Sequence, residues 1–122
     1  MMVYIRNFIR FSVTTFLFVF FSCRQNINEP KIFHTYAEVE NFLKRSKFSV
    51  DESASTGNKD WITYANYKSI DGNKGYLTLG MRGKNYYFKN VPLEIWEEFK
   101  MCESKGKFYH KKIKNRYNLK IE

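Results

Sequence analysis

The dipeptide Val91-Pro92 divides the second half of this chain into two kinds of structure. Proline has no N–H to give to a sheet ladder, while its fixed φ suits the first turn of a helix. Strand is therefore permitted before it and helix is expected after it. Upstream, residues 61–67 (WITYANY), 76–81 (YLTLGM) and 86–91 (YYFKNV) are short runs rich in aromatics and threonine, which predicts strands. DGNKG at 71–75 is a turn. Downstream, LEIWEEFKMCES places Glu94, Glu97 and Glu98 near the positive end of a helix, and Gly106 is its expected stop.

The loop between the last two strands sets their faces. Arg82-Gly83-Lys84-Asn85 predicts a two-residue type II′ turn with Gly83 and Lys84 at its tip. Met81 then stands opposite Tyr86, and Leu79 opposite Phe88. Tyr86 and Phe88 join Leu77, Leu79 and Met81 in one apolar surface, which the Trp96 helix can cover. The other face carries Tyr76, Thr78, Gly80, Tyr87 and Lys89. Either Tyr87 is uncovered there, a stacking ring for a base or sugar beside Lys89, Lys84 and Arg82, or a helix over residues 33–45 lies on it. The expected fold class is α+β, with a small three-stranded antiparallel sheet packed on two or three helices.

That helix has its own signals. Thr35 and Glu38 form a capping box, with a side-chain oxygen at N-cap and a carboxylate at N3. Tyr36, Val39 and Leu43 follow at helical spacing, with Phe42 beside them. An accessory helix within residues 35–50 can pad the core or contact a partner protein. Residues 51–60, DESASTGNKD, are a loop by composition.

The start of the chain is an address. Arg6 and Arg10 precede a charge-free run over residues 11–22, FSVTTFLFVFFS, and then Cys23. A basic start, an apolar stretch of this length and a small residue make the pattern of a secretory signal peptide. A spanning helix needs about 20 apolar residues, and Arg6, Asn7 and Arg10 interrupt any extension backwards. Ser22-Cys23 resembles the lipobox of bacterial lipoproteins, in which a thiol takes the diacylglyceryl group and becomes the mature N-terminus. Phe20 and Phe21 depart from the usual aliphatic and small pair. The reading is a cleavable signal peptide over residues 1–22, lipidation at Cys23 and a tether over residues 23–34. Such a tether reaches roughly 15–20 Å, so the domain sits close to the membrane of a bacterial cell envelope.

Charge points to the partner. The chain has 21 Lys and Arg against 12 Asp and Glu, a formal net charge of +9. Such a balance selects anionic partners: nucleic acid, a phosphate-bearing polymer or an acidic membrane surface. Residues 105–120, KGKFYHKKIKNRYNLK, hold seven of these cations and no acid. Read as one helix, Tyr109, Ile113 and Tyr117 make an apolar stripe, while Lys107, Lys111 and Lys114 make a basic one suited to phosphate contacts.

From Trp61 to Tyr117 the chain resembles the KTSC domain, a family found at the C-terminus of some lysyl-tRNA synthetases and as a stand-alone bacterial domain. Its aromatic Y-x-Y element corresponds to Tyr86-Tyr87-Phe88, with Phe88 lacking the second hydroxyl. Its V-P corresponds to Val91-Pro92 and its S-K-G to Ser104-Lys105-Gly106, followed by Phe108-Tyr109, Ile113 and Tyr117. The resemblance assigns residues 58–122 to that domain. It implies RNA binding as a suggested activity and no established catalytic role. Export argues against cytoplasmic tRNA as the partner.

No catalysis is expected. His34, His110 and Cys102 lack the ligand spacings of a structural zinc site, and neither a nucleophile elbow nor a phosphate-cradling glycine loop is present. No cofactor is implied. With Cys23 carrying lipid, Cys102 has no disulfide partner and reads as a small buried hydrophobe.

Overall fold

The computed structural model describes residues 28–57 and 60–122. Cys23, the expected signal peptide and the first part of the tether lie outside the described residues. The elements run α1 (Tyr36–Arg45), β1 (Val50–Ser53), β2 (Ile62–Ser69), β3 (Lys74–Met81), β4 (Lys84–Pro92), α2 (Leu93–Met101) and α3 (Lys105–Phe108), followed by a π-turn over Tyr109–Ile113. The fold is α+β, but the antiparallel sheet has four strands in chain order rather than three. No helix among the described residues is long and apolar enough to cross a membrane.

The additional strand, β1, lies inside the polar stretch expected to be a loop. It pairs with β2 from Val50↔Ser69 to Ser53↔Asn66. Three of its four residues are exposed, so it carries little apolar signal. Polar side chains hold it in place: Asp51 accepts from Asn66 Nδ2 at 3.2 Å and pairs with Lys68 at 2.9 Å. Charged residues on a short edge also discourage pairing with other chains.

The turn between β3 and β4 differs from the expected one. Arg82 and Gly83 both have positive φ, 54° and 77°, and Met81 faces Lys84 across them. Two consecutive left-handed residues make a type I′ turn, whose twist matches that of the strands. The tip is Arg82-Gly83, not Gly83-Lys84. Leu79 therefore pairs with Tyr86, and Leu77 with Phe88. Each partner shifts by two residues, and a two-residue shift leaves every side chain on its expected face.

Two irregularities then re-aim the strands. The β2–β3 register shifts between Ile62 and Tyr64, which lets Ile62 share a face with Ala65 and Tyr67. The β3–β4 register shifts between Gly75 and Leu77, and Asn90 adopts φ 61° on the opposing strand. Asparagine tolerates this conformation better than most residues. Phe88 and Val91 consequently both reach the same core despite their three-residue separation.

Both faces of the sheet are covered. On one, Ile62, Tyr67, Leu77, Leu79, Phe88 and Val91 pack with Trp96, Phe99 and Ile113. Tyr67, Trp96 and Phe99 form a ring stack, with centroids 5.4 and 5.8 Å apart. Its polar tips are satisfied: Tyr67 Oη donates to the Val91 carbonyl at 2.8 Å, and Trp96 Nε1 to Glu52 Oε1 at 2.9 Å.

The other face lies beneath α1, the second of the two alternatives posed by the sequence. Val39, Phe42 and Leu43 from α1 join Phe33, Tyr76 and Tyr87 in a separate cluster. Thr35 caps the helix by accepting from the Glu38 N–H at 3.2 Å, while the Glu38 carboxylate accepts from His34 N at 2.7 Å. The apolar side of α1 is spent on the sheet, which leaves Glu38, Asn41, Lys44 and Arg45 outward. Phe33 also bridges Ile121 in parallel, and the Glu122 N–H donates to the Phe33 carbonyl. The entry to α1 is thereby tied to the end of the chain.

Candidate functional site

The joint after α2 decides what the surface can present. α2 ends at Met101, and α3 starts four residues later. Ser104 caps α3 by accepting from the Lys107 N–H at 3.3 Å. Lys105 is 6% exposed, and its ammonium donates to the carbonyls of Phe99, Lys100 and Cys102 at 2.8, 3.1 and 3.1 Å. Those bonds use all three of its protons. Gly106 lies inside α3 rather than stopping α2, and a Cβ there would come within 2.1 Å of Trp61 Nε1. Glycine is needed at 106 because an indole edge occupies the space of a side chain. Asp60 completes the joint by accepting from the Lys105 N–H at 2.9 Å.

Beyond Phe108 the expected single helix opens into a π-turn. The Lys114 N–H donates to the Tyr109 carbonyl at 2.8 Å, a five-residue bond. In an α-helix, residues five apart point about 140° away from each other. The wider turn instead brings Lys114 round to the side of Tyr109, and such turns are frequent at functional sites. The apolar stripe still packs, since Ile113 is buried and Tyr109 and Tyr117 lie against the main core.

Together the joint, the π-turn and the β3–β4 turn enclose a cleft of about 450 Å³. Its walls are Trp61, Tyr86, Tyr109 and His110, Met81 contributes an apolar patch, and Arg82 and Lys114 supply positive charge. The Trp61 ring lies 5.5 Å from His110 and 5.7 Å from Tyr109. Tyr109 is wedged against Phe88 of the core at 5.9 Å. Burial, and secondarily the neighbouring Tyr86 oxygen, pushes the Tyr109 phenol above its usual range, so it remains a hydrogen-bond donor at neutral pH. Trp61 and Tyr86 are 42% and 41% exposed, among the few large hydrophobics left open to solvent. Ion pairs among the described residues involve Lys68 and Lys100, and neither Arg82 nor Lys114 takes part in one.

Of the residues expected to bind, Arg82 and Lys114 meet in this cleft. Lys84 is exposed just past the turn, and Lys107 and Lys111 are exposed nearby without lining the cleft. Tyr76 and Tyr87 are corrected: at 3% and 9% exposure they are covered by α1 and have no free ring face. Their hydroxyls donate to Glu29 at 2.5 Å and Glu40 at 2.7 Å. Burial and then the Glu40 carboxylate push the Tyr87 phenol up to about 12. Lys89 is half-buried on that same side of the sheet, beside a second cavity that Lys31, Lys74 and Glu29 also line.

The residues missed were Trp61, Tyr86, Tyr109 and His110. Tyr86 was placed in the core because of its strand parity, yet it sits at the turn end of β4 and stays open. The sequence places Trp61 first in a strand, in step with Ala65 and Tyr67; β2 starts at Ile62 instead, and the register shift that follows leaves Trp61 open. Cys102 is no part of the site. Its thiol donates to the Phe99 carbonyl, and burial holds its pKa above the usual thiol range despite nearby Lys105.

Residues 81–117 match the family model of the KTSC domain. The match starts at the last residue of β3 and ends at Tyr117, so it takes in every lining residue of the cleft except Trp61. No curated protein and no solved structure matches the chain.

Proposed function

We propose that this protein is a non-catalytic binding module for an anionic polymer, held at a bacterial cell envelope by lipid on Cys23. The observation that carries the binding half is the coincidence of exposed rings with Arg82 and Lys114, which form no ion pair among the described residues, at the cleft walled by Trp61 and Tyr86. Lys107, Lys111 and Lys114 lie on the same chain segment and extend the positive surface outward from it. A nucleic acid meets that description, and so does any flexible phosphate-bearing polymer.

Binding of this kind depends steeply on salt, because each neutralised phosphate releases counterions. Titration of the full chain in detergent with a single-stranded oligonucleotide should show affinity falling linearly on a log–log plot against salt. Changing Lys107, Lys111 and Lys114 together to glutamine should flatten that slope by about 2, the amount expected for three lost phosphate contacts on a single strand. An unchanged slope and affinity would make those lysines a solvated surface.

The anchor half rests on the charge-free run that ends in Ser22-Cys23. Cys23→Ala is expected to abolish incorporation of a fatty-acid label and to release the mature domain from the detergent phase. Equal labelling and partitioning of wild type and variant would remove the lipid from the reading. Anchoring through a tether keeps the positive surface near the envelope, where an acidic leaflet would attract it at about 1 kcal/mol per lysine.

A further inference from the structure

We infer that the Trp61–Tyr86–Tyr109–His110 cleft is a subsite for one nucleotide unit, a flat aromatic base with its phosphate. This rests on the anionic-polymer reading and adds the ring. Charge alone would leave the partner undefined, since any polyanion satisfies lysines on a surface. Rings change the chemistry required. A cleft of about 450 Å³ walled by four aromatic side chains lies in the size range of small-molecule sites and has π faces for a planar group. Aromatic side chains take bases of any sequence by stacking, and cations beside them take the backbone.

The arrangement is built rather than incidental. Trp61 is fixed by Gly106, where a Cβ would collide with the indole. Tyr109 is fixed by Phe88 behind it. Lys114 reaches the cleft only because the π-turn closes on the Tyr109 carbonyl, and Arg82 only because it takes the left-handed first position of the type I′ turn. Arg82 and Lys114, neither in an ion pair among the described residues, flank the rings. A phosphate beside a stacked base would therefore meet charge directly. Tyr109 and His110 add ring N–H and phenol groups at the edges of the base.

The test uses fluorescence and three probes on the full chain in detergent: oligothymidylate, an abasic oligomer of equal length, and inorganic polyphosphate. Trp96 is fully buried in the core, so quenching on binding reports Trp61. Expected is quenching by oligothymidylate and by free thymidine monophosphate, but none by the abasic oligomer or polyphosphate. Trp61→Ala should weaken oligothymidylate roughly 5- to 150-fold, the affinity equivalent of one stacked base, and leave polyphosphate binding unchanged. Tyr86→Ala, outside the buried core, should act in the same direction and covers the case of a Trp61 variant that fails to fold. If all three polymers bind alike and neither ring variant discriminates among them, the subsite is overturned while polyanion binding stands. If the wild type binds none of them, or only anionic vesicles, both readings fall.

Discussion

Replacing Trp96 with alanine is expected to lower stability by about 3–5 kcal/mol, the range for removing a large buried aromatic. Trp96 is the middle ring of the Tyr67–Trp96–Phe99 stack, so its loss leaves both neighbours facing a void. It also strips Glu52 of the indole N–H, the main influence that holds its carboxyl below the usual range, with Lys100 second. Since Glu52 lies on β1, the variant should loosen that edge strand as well as α2. Phe88→Ala belongs in the same range. Tyr87→Ala, which an open sheet face would make nearly harmless, should approach it, because α1 buries that ring. Denaturant melts would rank the three. A Tyr87 variant as stable as wild type would mean that α1 does not cover the sheet in solution.

The elements most legible in the sequence were those whose boundaries are set by local chemistry. Pro92 marked the change from strand to helix, and Thr35 with Glu38 marked the start of α1, because those effects act within a few residues. β1 was hidden for the opposite reason. Its pairing with β2 depends on partners thirteen to nineteen positions away, and its residues are those of a loop. The turn at Arg82-Gly83 shows a subtler limit. A glycine in a four-residue hairpin connection is compatible with either primed turn, and both match the strand twist, so the residues alone do not choose between them. The faces were nevertheless assigned correctly, since parity survives a two-residue error.

The site was harder to read than the fold, and the reason is geometric. Arg82 and Lys114 were found from charge, yet what unites them is a π-turn, which departs from the α-helical spacing used to place residues 105–120. Tyr76 and Tyr87 are candidates only if the 33–45 helix leaves their face open, and α1 covers it. The helix that covers them lies upstream of the family match, which begins at Met81. Conversely, Trp61 and Tyr86 are exposed because they lie at strand ends, beyond the reach of α2. Aromatic composition alone cannot distinguish these two outcomes.

Lys105 links the two levels, and its replacement is the second large effect. It is one of the seven cations in residues 105–120, but its ammonium is buried and committed to three carbonyls at the end of α2. A cation there also meets the negative end of the helix and lies 5.2 Å from the Phe99 ring centroid. Lys105→Met keeps most of the stem but removes every donor, leaving carbonyls that each cost about 1–3 kcal/mol when buried without a partner. A loss of about 3 kcal/mol is expected, with Lys105→Ala losing more because the stem goes too. Because the same joint presents Gly106 to Trp61, a folded Lys105→Met protein should also show altered Trp61 fluorescence and weaker oligonucleotide binding. Lys107→Met, with the same formal charge change on an exposed side chain, should leave both stability and Trp61 emission near wild type. Equal melting midpoints for the Lys105 and Lys107 variants would show that the ammonium does not cap α2, and Lys105 would return to the solvated cations.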